Sequence, residues 1–338
     1  MAIGQCDAWC NDHRFVMAPM VGADSLTISV SPLTGRSYRA AHDLPAGFCL
    51  LDIPTPYTNT VYKQFRTEVC AECWRYECGR RGFLTCRDYA EAGLMFCDRS
   101  CQESWLAREG EDTVQLFKVL EGARRRGNKD KTRTDASSSE QQSVTAETIS
   151  QAWEAIAAEE KRPKTLSRWK QIQLDEFETD LARYVLLALI HVYRESQSSA
   201  LSLGQDESLS FGGATWRDLA ALQSGELQQV SRFPELLQNH IRIYQVLRSR
   251  FYGTPLFSFG SSNGECAHTA GLANAITIEH VRTALAVDPG NSFGIWQVPM
   301  SEGSEGLGFG VYPIPSYFNH RESAVFVNST QYTLGNRS

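Results

Sequence analysis

Six of the ten cysteines lie between positions 70 and 101, and this cluster constrains the fold more than any other feature of the sequence. Cys70-x2-Cys73 and Cys97-x3-Cys101 have the spacing at which neighbouring thiolates share one tetrahedral zinc ion. Four sulfur ligands close the coordination sphere, so the ion would be structural, with no open position for water or substrate. Buried free cysteines would explain single residues but not two close pairs. We therefore expect one zinc ion bound by these four cysteines.

The start of the chain supports this interpretation of the cysteines. Residues 1–11 contain no basic stretch followed by an apolar run, so we expect no secretory signal and a reducing compartment, the nucleus or the cytoplasm or both. Clustered thiols in such a compartment indicate metal ligands before disulfides. The net charge of −6 gives no global basic field, so direct nucleic-acid binding is not expected.

Residues 184–193 form the longest apolar run, which bears on membrane association. A helix needs about 20 apolar residues to cross a bilayer, and this run is much shorter. It therefore predicts a buried helix and no membrane partner.

The pattern of apolar and turn residues predicts an α+β fold in five consecutive segments, which are 24–66, 67–120, 121–150, 151–255 and 256–338. In the first, short apolar runs at 25–30 and 48–53 predict strands separated by a turn at 45–47. The cysteine segment should run into a helix from Gln102 to about Leu120. The last segment is rich in glycine and predicts strands and loops. We therefore expect a helical insertion to interrupt one β-rich domain.

The third and fourth segments differ sharply in composition. Residues 121–150 pass from a basic run into a serine-rich stretch with almost no large apolar residue, so we expect disorder there. The basic run is either a nuclear-localisation or nucleic-acid patch or a solvated loop, and the solvated loop is favoured. In residues 151–255 apolar positions recur every three or four residues, as in helices. The aromatic residues of this pattern are expected in the core: Trp169, Phe177, Tyr184 and Tyr244.

Four stretches of the sequence resemble one family of proteins. The cysteine cluster resembles a MYND zinc finger, and Gly35-Arg-Ser-Tyr38 followed by Asp43-Leu-Pro-Ala-Gly47 resembles the opening of a SET domain. Gly290-Asn-Ser-Phe-Gly-Ile295 is similar to the "N-S-F" strand of MYND–SET enzymes. Gly310-Val-Tyr-Pro-Ile-Pro-Ser-Tyr-Phe-Asn-His320 is similar to their "G-x-x-Y-P-x-x-S-x-F-N-H" segment. The family places a zinc finger and helices between two SET halves, in the same order.

This resemblance implies a protein-lysine methyltransferase, a chromatin regulator with histones among its candidate substrates. It implies a pocket for S-adenosylmethionine lined by six residues: Gly35, Arg36, Asn291, Phe318, Asn319 and His320. The first two would lie along the methionine end, Asn291 would hydrogen-bond the cofactor, and the last three would line the adenine side. The reaction would be attack of a neutral lysine amine on the sulfonium methyl group.

The sequence departs from the family pattern at two places. Cys78 and Cys86 are separated by seven residues and no His-x3-Cys follows Cys101, so we expect the second zinc site of the family to be degenerate. After His320 the family's channel tyrosine has no counterpart, because Tyr332 comes too soon, and no catalytic residue is assigned. Two interpretations follow: an enzyme by descent, inactive in the chain as written, or a non-catalytic module that holds partner peptides.

Overall fold

The structure is a computed structural model that describes residues 25–31, 35–79, 86–125, 144–201, 209–252, 271–298 and 303–318. These residues form eight α-helices and five strands, in agreement with the predicted α+β class. In chain order the elements are β1 Leu26–Ser31, β2 Gly35–Ala40, β3 Thr58–Val61, α1 Arg99–Glu121, α2 Ala146–Glu160, α3 Thr165–Trp169, α4 Glu176–Leu201, α5 Trp216–Ala220, α6 Glu226–Arg232, α7 Glu235–Phe251, α8 Ile278–Asn291, β4 Ser292–Trp296 and β5 Gly306–Val311.

The strands form two antiparallel sheets that join distant parts of the chain. β1 and β2 pair as a hairpin, with Ser31 opposite Gly35. The second sheet has the order β3-β5-β4, so that Val311 lies opposite both Thr58 and Ser292. The cysteine cluster and all eight helices are therefore inserted between β3 and β5, two strands that pair directly with each other.

Helix α4 forms the centre of the core. The side chains of Leu186, Leu189 and Ile190 on this helix are fully buried. The helix packs on the second sheet, where the Thr58 hydroxyl donates to the carbonyl of Tyr184 at 2.7 Å. The apolar run at 184–193 is thus a buried helix, as predicted. None of the described helices is long and apolar enough to cross a bilayer.

A buried ionic cluster ties α4 to the element that follows β3. The guanidinium of Arg66 is almost fully buried and pairs with Glu121 at the end of α1 and with Asp180 on α4. Arg183, also on α4, lies 3.7 Å from the Glu121 carboxylate. Charged groups need such partners when they are removed from water. The cluster therefore fixes where α1 meets α4.

Two predicted boundaries in the first half of the chain are wrong. Residues 48–53 form no strand, and the nearest strand is β3, which begins at Thr58 after Pro54 and Pro56. Proline lacks the N–H that a ladder requires, which favours an irregular segment there. The predicted insertion at 121–150 is too wide, because a capping box of Thr145 and Thr148 starts α2 at Ala146. Residues 126–143 lie outside the described part.

Two further expectations fail in the second half. Phe177 follows the helical period of the core, yet 51% of its surface is exposed at the start of α4. Trp169, Tyr184 and Tyr244 are buried as predicted. Helix α8 lies where only strands and loops were expected. Thr277, whose side chain caps its start, was the signal that could have revealed it.

Candidate functional site

The four predicted zinc ligands come together at the start of α1. The sulfurs of Cys70, Cys73, Cys97 and Cys101 all lie within 4.8 Å of one another. The sulfur of Cys97 is 3.7 Å from that of Cys73 and 3.4 Å from that of Cys101. Zinc–sulfur bonds of about 2.3 Å in a tetrahedron separate the sulfurs by about 3.8 Å. The described donor set therefore fits a zinc ion.

Local backbone geometry positions each pair of cysteines. The first pair, Cys70 and Cys73, lies in a tight turn. The Trp74 N–H donates to the carbonyl of Cys70 at 3.0 Å, and the Cys70 N–H donates to the carbonyl of Arg75 at 2.9 Å. In the second pair, Asp98 caps α1 and accepts the N–H of Cys101 at 2.8 Å. This cap places Cys97 and Cys101 one helical turn apart.

The electrostatics of the four thiols also favour a cation. Hydrogen bonds from the neighbouring thiols, that of Cys101 first, lower the pKa of Cys70 below its ordinary value. The same contact with Cys70 raises the pKa of Cys101. Sulfurs this close cannot all be anionic unless a cation lies between them, because their charges repel in a partly buried site. A zinc ion would supply that charge.

The remaining cysteines of the cluster do not join this site. Cys86 is buried in a backbone bridge with Phe96, and the exposed Cys78 accepts a contact from the Gln297 amide at 3.8 Å. Within the described ranges, the four-cysteine group is the one set of side chains with metal-binding geometry. The expectation of a single zinc ion agrees with this arrangement.

The segment that carries Cys70 and Cys73 is attached to the second sheet through a small apolar cluster. Val69 and Trp74, which flank these two cysteines, pack with Phe65, with Ile295 on β4 and with Leu307 on β5. Val69 and Leu307 are almost fully buried. A change in the four-cysteine site would therefore be transmitted to β4 and β5.

Four of the six predicted cofactor residues lie in one region of the structure. Arg36 places its guanidinium 5.1 Å from the ring centre of Tyr317, and the ring of Tyr38 lies 4.9 Å from that of Phe318. These contacts bring β2 against the short 3-10 helix Pro315–Tyr317 after β5. Asn319 and His320 lie outside the described residues, as do Tyr332 and the rest of the chain end.

Asn291 and Gly35 complete this region through a shared neighbour. The Asn291 amide donates to the carbonyl of Gln223 at 3.0 Å and to that of Val287 at 2.7 Å. A Cβ added at Gly35 would lie 3.7 Å from the side-chain oxygen of the same Gln223. Both amide hydrogens of Asn291 are thus used within the protein, leaving its side-chain oxygen to accept.

Several residues of this region were not singled out from the sequence. Tyr38, Ser316 and Tyr317 lie inside the motifs already quoted, so their contacts could have been expected. The Ser316 hydroxyl donates to the carbonyl of Asn291 at 3.2 Å. Gln223 carries no sequence signal, because it follows a short helix, α5, and is brought in by the tertiary structure alone.

No protein-family model matches the sequence. The chain is similar to a protein of Saccharomyces cerevisiae named "Potential protein lysine methyltransferase SET6", with 24% identity over 334 aligned residues. The alignment covers 89% of this chain and 79% of the yeast protein. This similarity supports a relationship to methyltransferases at the level of the family.

Proposed function

We propose that this chain is an S-adenosylmethionine-dependent protein-lysine methyltransferase, a split SET domain whose fold is stabilised by a MYND-like zinc finger. The observation that carries the proposal is that Gly35, Arg36, Asn291 and Phe318 lie in one region, joined through Tyr38, Gln223, Ser316 and Tyr317, although they are separated by up to 283 positions in the chain. The similarity to the yeast protein supports the same reaction class.

The residues present suit the chemistry of the cofactor. Arg36 is exposed, and its planar guanidinium would pair with the carboxylate of the methionine moiety. Gly35 adopts a φ of 67°, and its missing Cβ allows close approach to the backbone. The rings of Tyr38 and Phe318 offer apolar surface for the adenine. When bound, the cofactor would supply a methyl group on a sulfonium centre.

The zinc finger would act on this region indirectly. It packs on Ile295 in β4, the strand that follows Asn291, and on Leu307 in β5, the strand that precedes Phe318. Four sulfur ligands leave no position for substrate, so the ion would hold structure and take no part in methyl transfer. The protein substrate, with histones as the first candidates, would present a lysine amine in its neutral form.

Cofactor binding by an Arg36→Ala variant is the first test. Calorimetry should show that the wild-type chain binds S-adenosylmethionine and that the variant binds about tenfold more weakly, because a charge-assisted contact is lost. Arg39→Ala is the matched control. Arg39 is exposed on the same strand, where it pairs with Thr27 near the far end of the hairpin. Failure of the wild-type chain to bind, or equal losses in both variants, would contradict the proposal.

Transfer of a tritiated methyl group to histones and to bulk lysate protein is the second test. Incorporation that disappears in the Arg36→Ala variant would support the enzyme. Cofactor binding without any incorporation would favour the non-catalytic peptide-binding module instead, and peptide capture that depends on zinc would then be measured.

A further inference from the structure

A cleft of about 420 Å³ opens between the helices and the second sheet. It is lined by α4, α6, α7 and α8 on one side and by β4 and β5 on the other. Ser292, Gly294 and Trp296 face it, and the side chains of a strand alternate between faces. None of Gly35, Arg36, Asn291 and Phe318 lines it, so the cleft is distinct from the proposed cofactor region. Its volume lies in the range of about 300–1,000 Å³ that is usual for small-molecule sites.

Three carboxylates line this cleft, and two of them already have cationic partners. Asp180 pairs with Arg66, and Glu226 forms a two-pronged ion pair with Arg282 at 2.7–2.9 Å. The third, Asp288 on α8, has a hydrogen bond with Ser292 and no recorded ion pair within the described part of the chain. Burial raises the pKa of Asp288 to about 6, as expected for a carboxylate without a nearby cation.

An imidazole also lines the cleft without a recorded hydrogen bond among the described residues. His240 on α7 is only 6% exposed and lines the cavity. Burial lowers its pKa to about 4, so at neutral pH the ring is uncharged. A neutral imidazole offers one N–H donor and one acceptor nitrogen. His240 can therefore hydrogen-bond a ligand in the cleft that carries a complementary polar group.

Most of the remaining wall is apolar or aromatic, with the amide of Gln229 as a further polar group. Leu236 and Leu285 line the interior, and the half-exposed Phe177 lies at the rim. The indole of Trp296 covers the strand beside it: a Cβ added at Gly294 would lie 2.3 Å from the indole nitrogen. Aromatic rings and a carboxylate that line the same cleft suit organic ammonium groups.

We propose that this cleft binds a small organic monocation, an ammonium group carried on an apolar body, with Asp288 as its counter-ion and His240 as a hydrogen-bond partner. One carboxylate without a cation matches a single positive charge. The walls of Leu236, Leu285 and Phe177 match the apolar body, and a doubly charged ligand would leave one charge without a partner. The site does not depend on methyl transfer, so this proposal stands or falls separately from the proposed function.

The test uses the full chain loaded with zinc and two probes of nearly equal shape, phenethylammonium and the uncharged 2-phenylethanol. Calorimetry or ligand-detected NMR should show that the ammonium binds at least about tenfold more tightly than the alcohol, because charged hydrogen-bond partners are the stronger ones. Asp288→Asn should remove this preference. Glu279→Gln is the matched control, because Glu279 is exposed on the same helix, and it should bind both probes like the wild type.

A second variant distinguishes a specific loss of ammonium binding from misfolding. His240→Leu keeps an apolar side chain at that position and should weaken ammonium binding while circular dichroism and zinc content remain unchanged. Equal binding of the two probes to the wild-type chain, or no binding at millimolar concentration, would overturn the proposal. So would S-adenosylmethionine affinity that falls in Asp288→Asn but not in Arg36→Ala, since the cleft would then be the cofactor site.

Discussion

Replacing Glu109 with glutamine should lower the free energy of unfolding by about 3 kcal/mol. Glu109 lies on α1 and is only 3% exposed. Its carboxylate is 2.8 Å from the Nε2 atom of His191 and 2.8 Å from the Nε atom of Arg108, and a nitrogen of Arg194 lies 3.9 Å away. The change keeps the shape of the side chain and removes the charge that these groups surround.

The protonation of the pair follows from its geometry. The Nδ1 atom of His191 faces the carbonyl of Tyr57 at 2.7 Å, and its Nε2 atom faces Glu109, so both ring nitrogens point to acceptors. The pair of His191 and Glu109 must therefore hold one proton more than a neutral imidazole beside an ionised carboxylate would hold. Arg108, which lies 2.8 Å from the carboxylate, favours residence of this proton on the ring, with the carboxylate ionised.

The magnitude can be obtained in two ways. Burial alone would raise the pKa of Glu109, but His191 and then Arg108 lower it from 4.5 to about 2. At about 1.36 kcal/mol per pH unit, this shift corresponds to roughly 3 kcal/mol of stability at neutral pH. Removing one partner of a buried ion pair typically costs about 3–5 kcal/mol. The two estimates agree at the lower end.

Urea unfolding followed by circular dichroism measures this loss, with Glu111→Gln as control. Glu111 is exposed on the same helix and, among the described residues, accepts a hydrogen bond only from the Tyr89 hydroxyl, so its replacement should cost less than about 1 kcal/mol. Because the folded-state pKa of Glu109 is lowered, its contribution is complete above pH 4.5 and disappears as the pH falls towards 2. The difference between wild type and Glu109→Gln should shrink in that window, and zinc loss in acid is common to both proteins. Equal stabilities of the two variants at pH 7 would refute the reasoning.

Three further predictions concern the metal, the backbone and pH. Elemental analysis should find one zinc ion per chain, and Cys97→Ser should lower both the zinc content and the melting temperature. A wild-type chain with no zinc ion or with two would contradict the assignment. Gly212→Ala should destabilise the folded protein more than Gly213→Ala. Both glycines have a positive φ, but only a Cβ at Gly212 would collide with backbone, the carbonyl oxygen of Thr55. Equal unfolding midpoints of the two variants in urea would argue against this. Burial raises the pKa of Glu195 from 4.5 to about 7, so the native state retains a proton in that window. Unfolding free energy should therefore fall as pH rises between these values, and Glu195→Gln should flatten that slope.

Local features of the chain were predicted well because their physical causes are local. The two cysteine pairs are held by a turn and by a helix start, so their spacing alone indicated the cluster that the structure shows. The helix after Cys101 and the buried helix at 184–193 follow from apolar periodicity in the same way. The capped start of α8 carried a signal of the same kind, at Thr277.

Other features depend on which distant segments meet, and only the tertiary structure decided them. Phe177 has the period of a core residue, yet it is exposed, because periodicity does not say what covers a helix face. The pairing of β3 with β5 joins residues about 250 positions apart, and the tertiary structure likewise brings Gln223 near Gly35 and into a hydrogen bond with Asn291. The cleft with Asp288 and His240 is likewise assembled from separate helices. Sequence spacing fixes geometry within a turn or a helix, whereas sites built from several elements are fixed by the packing of the whole core.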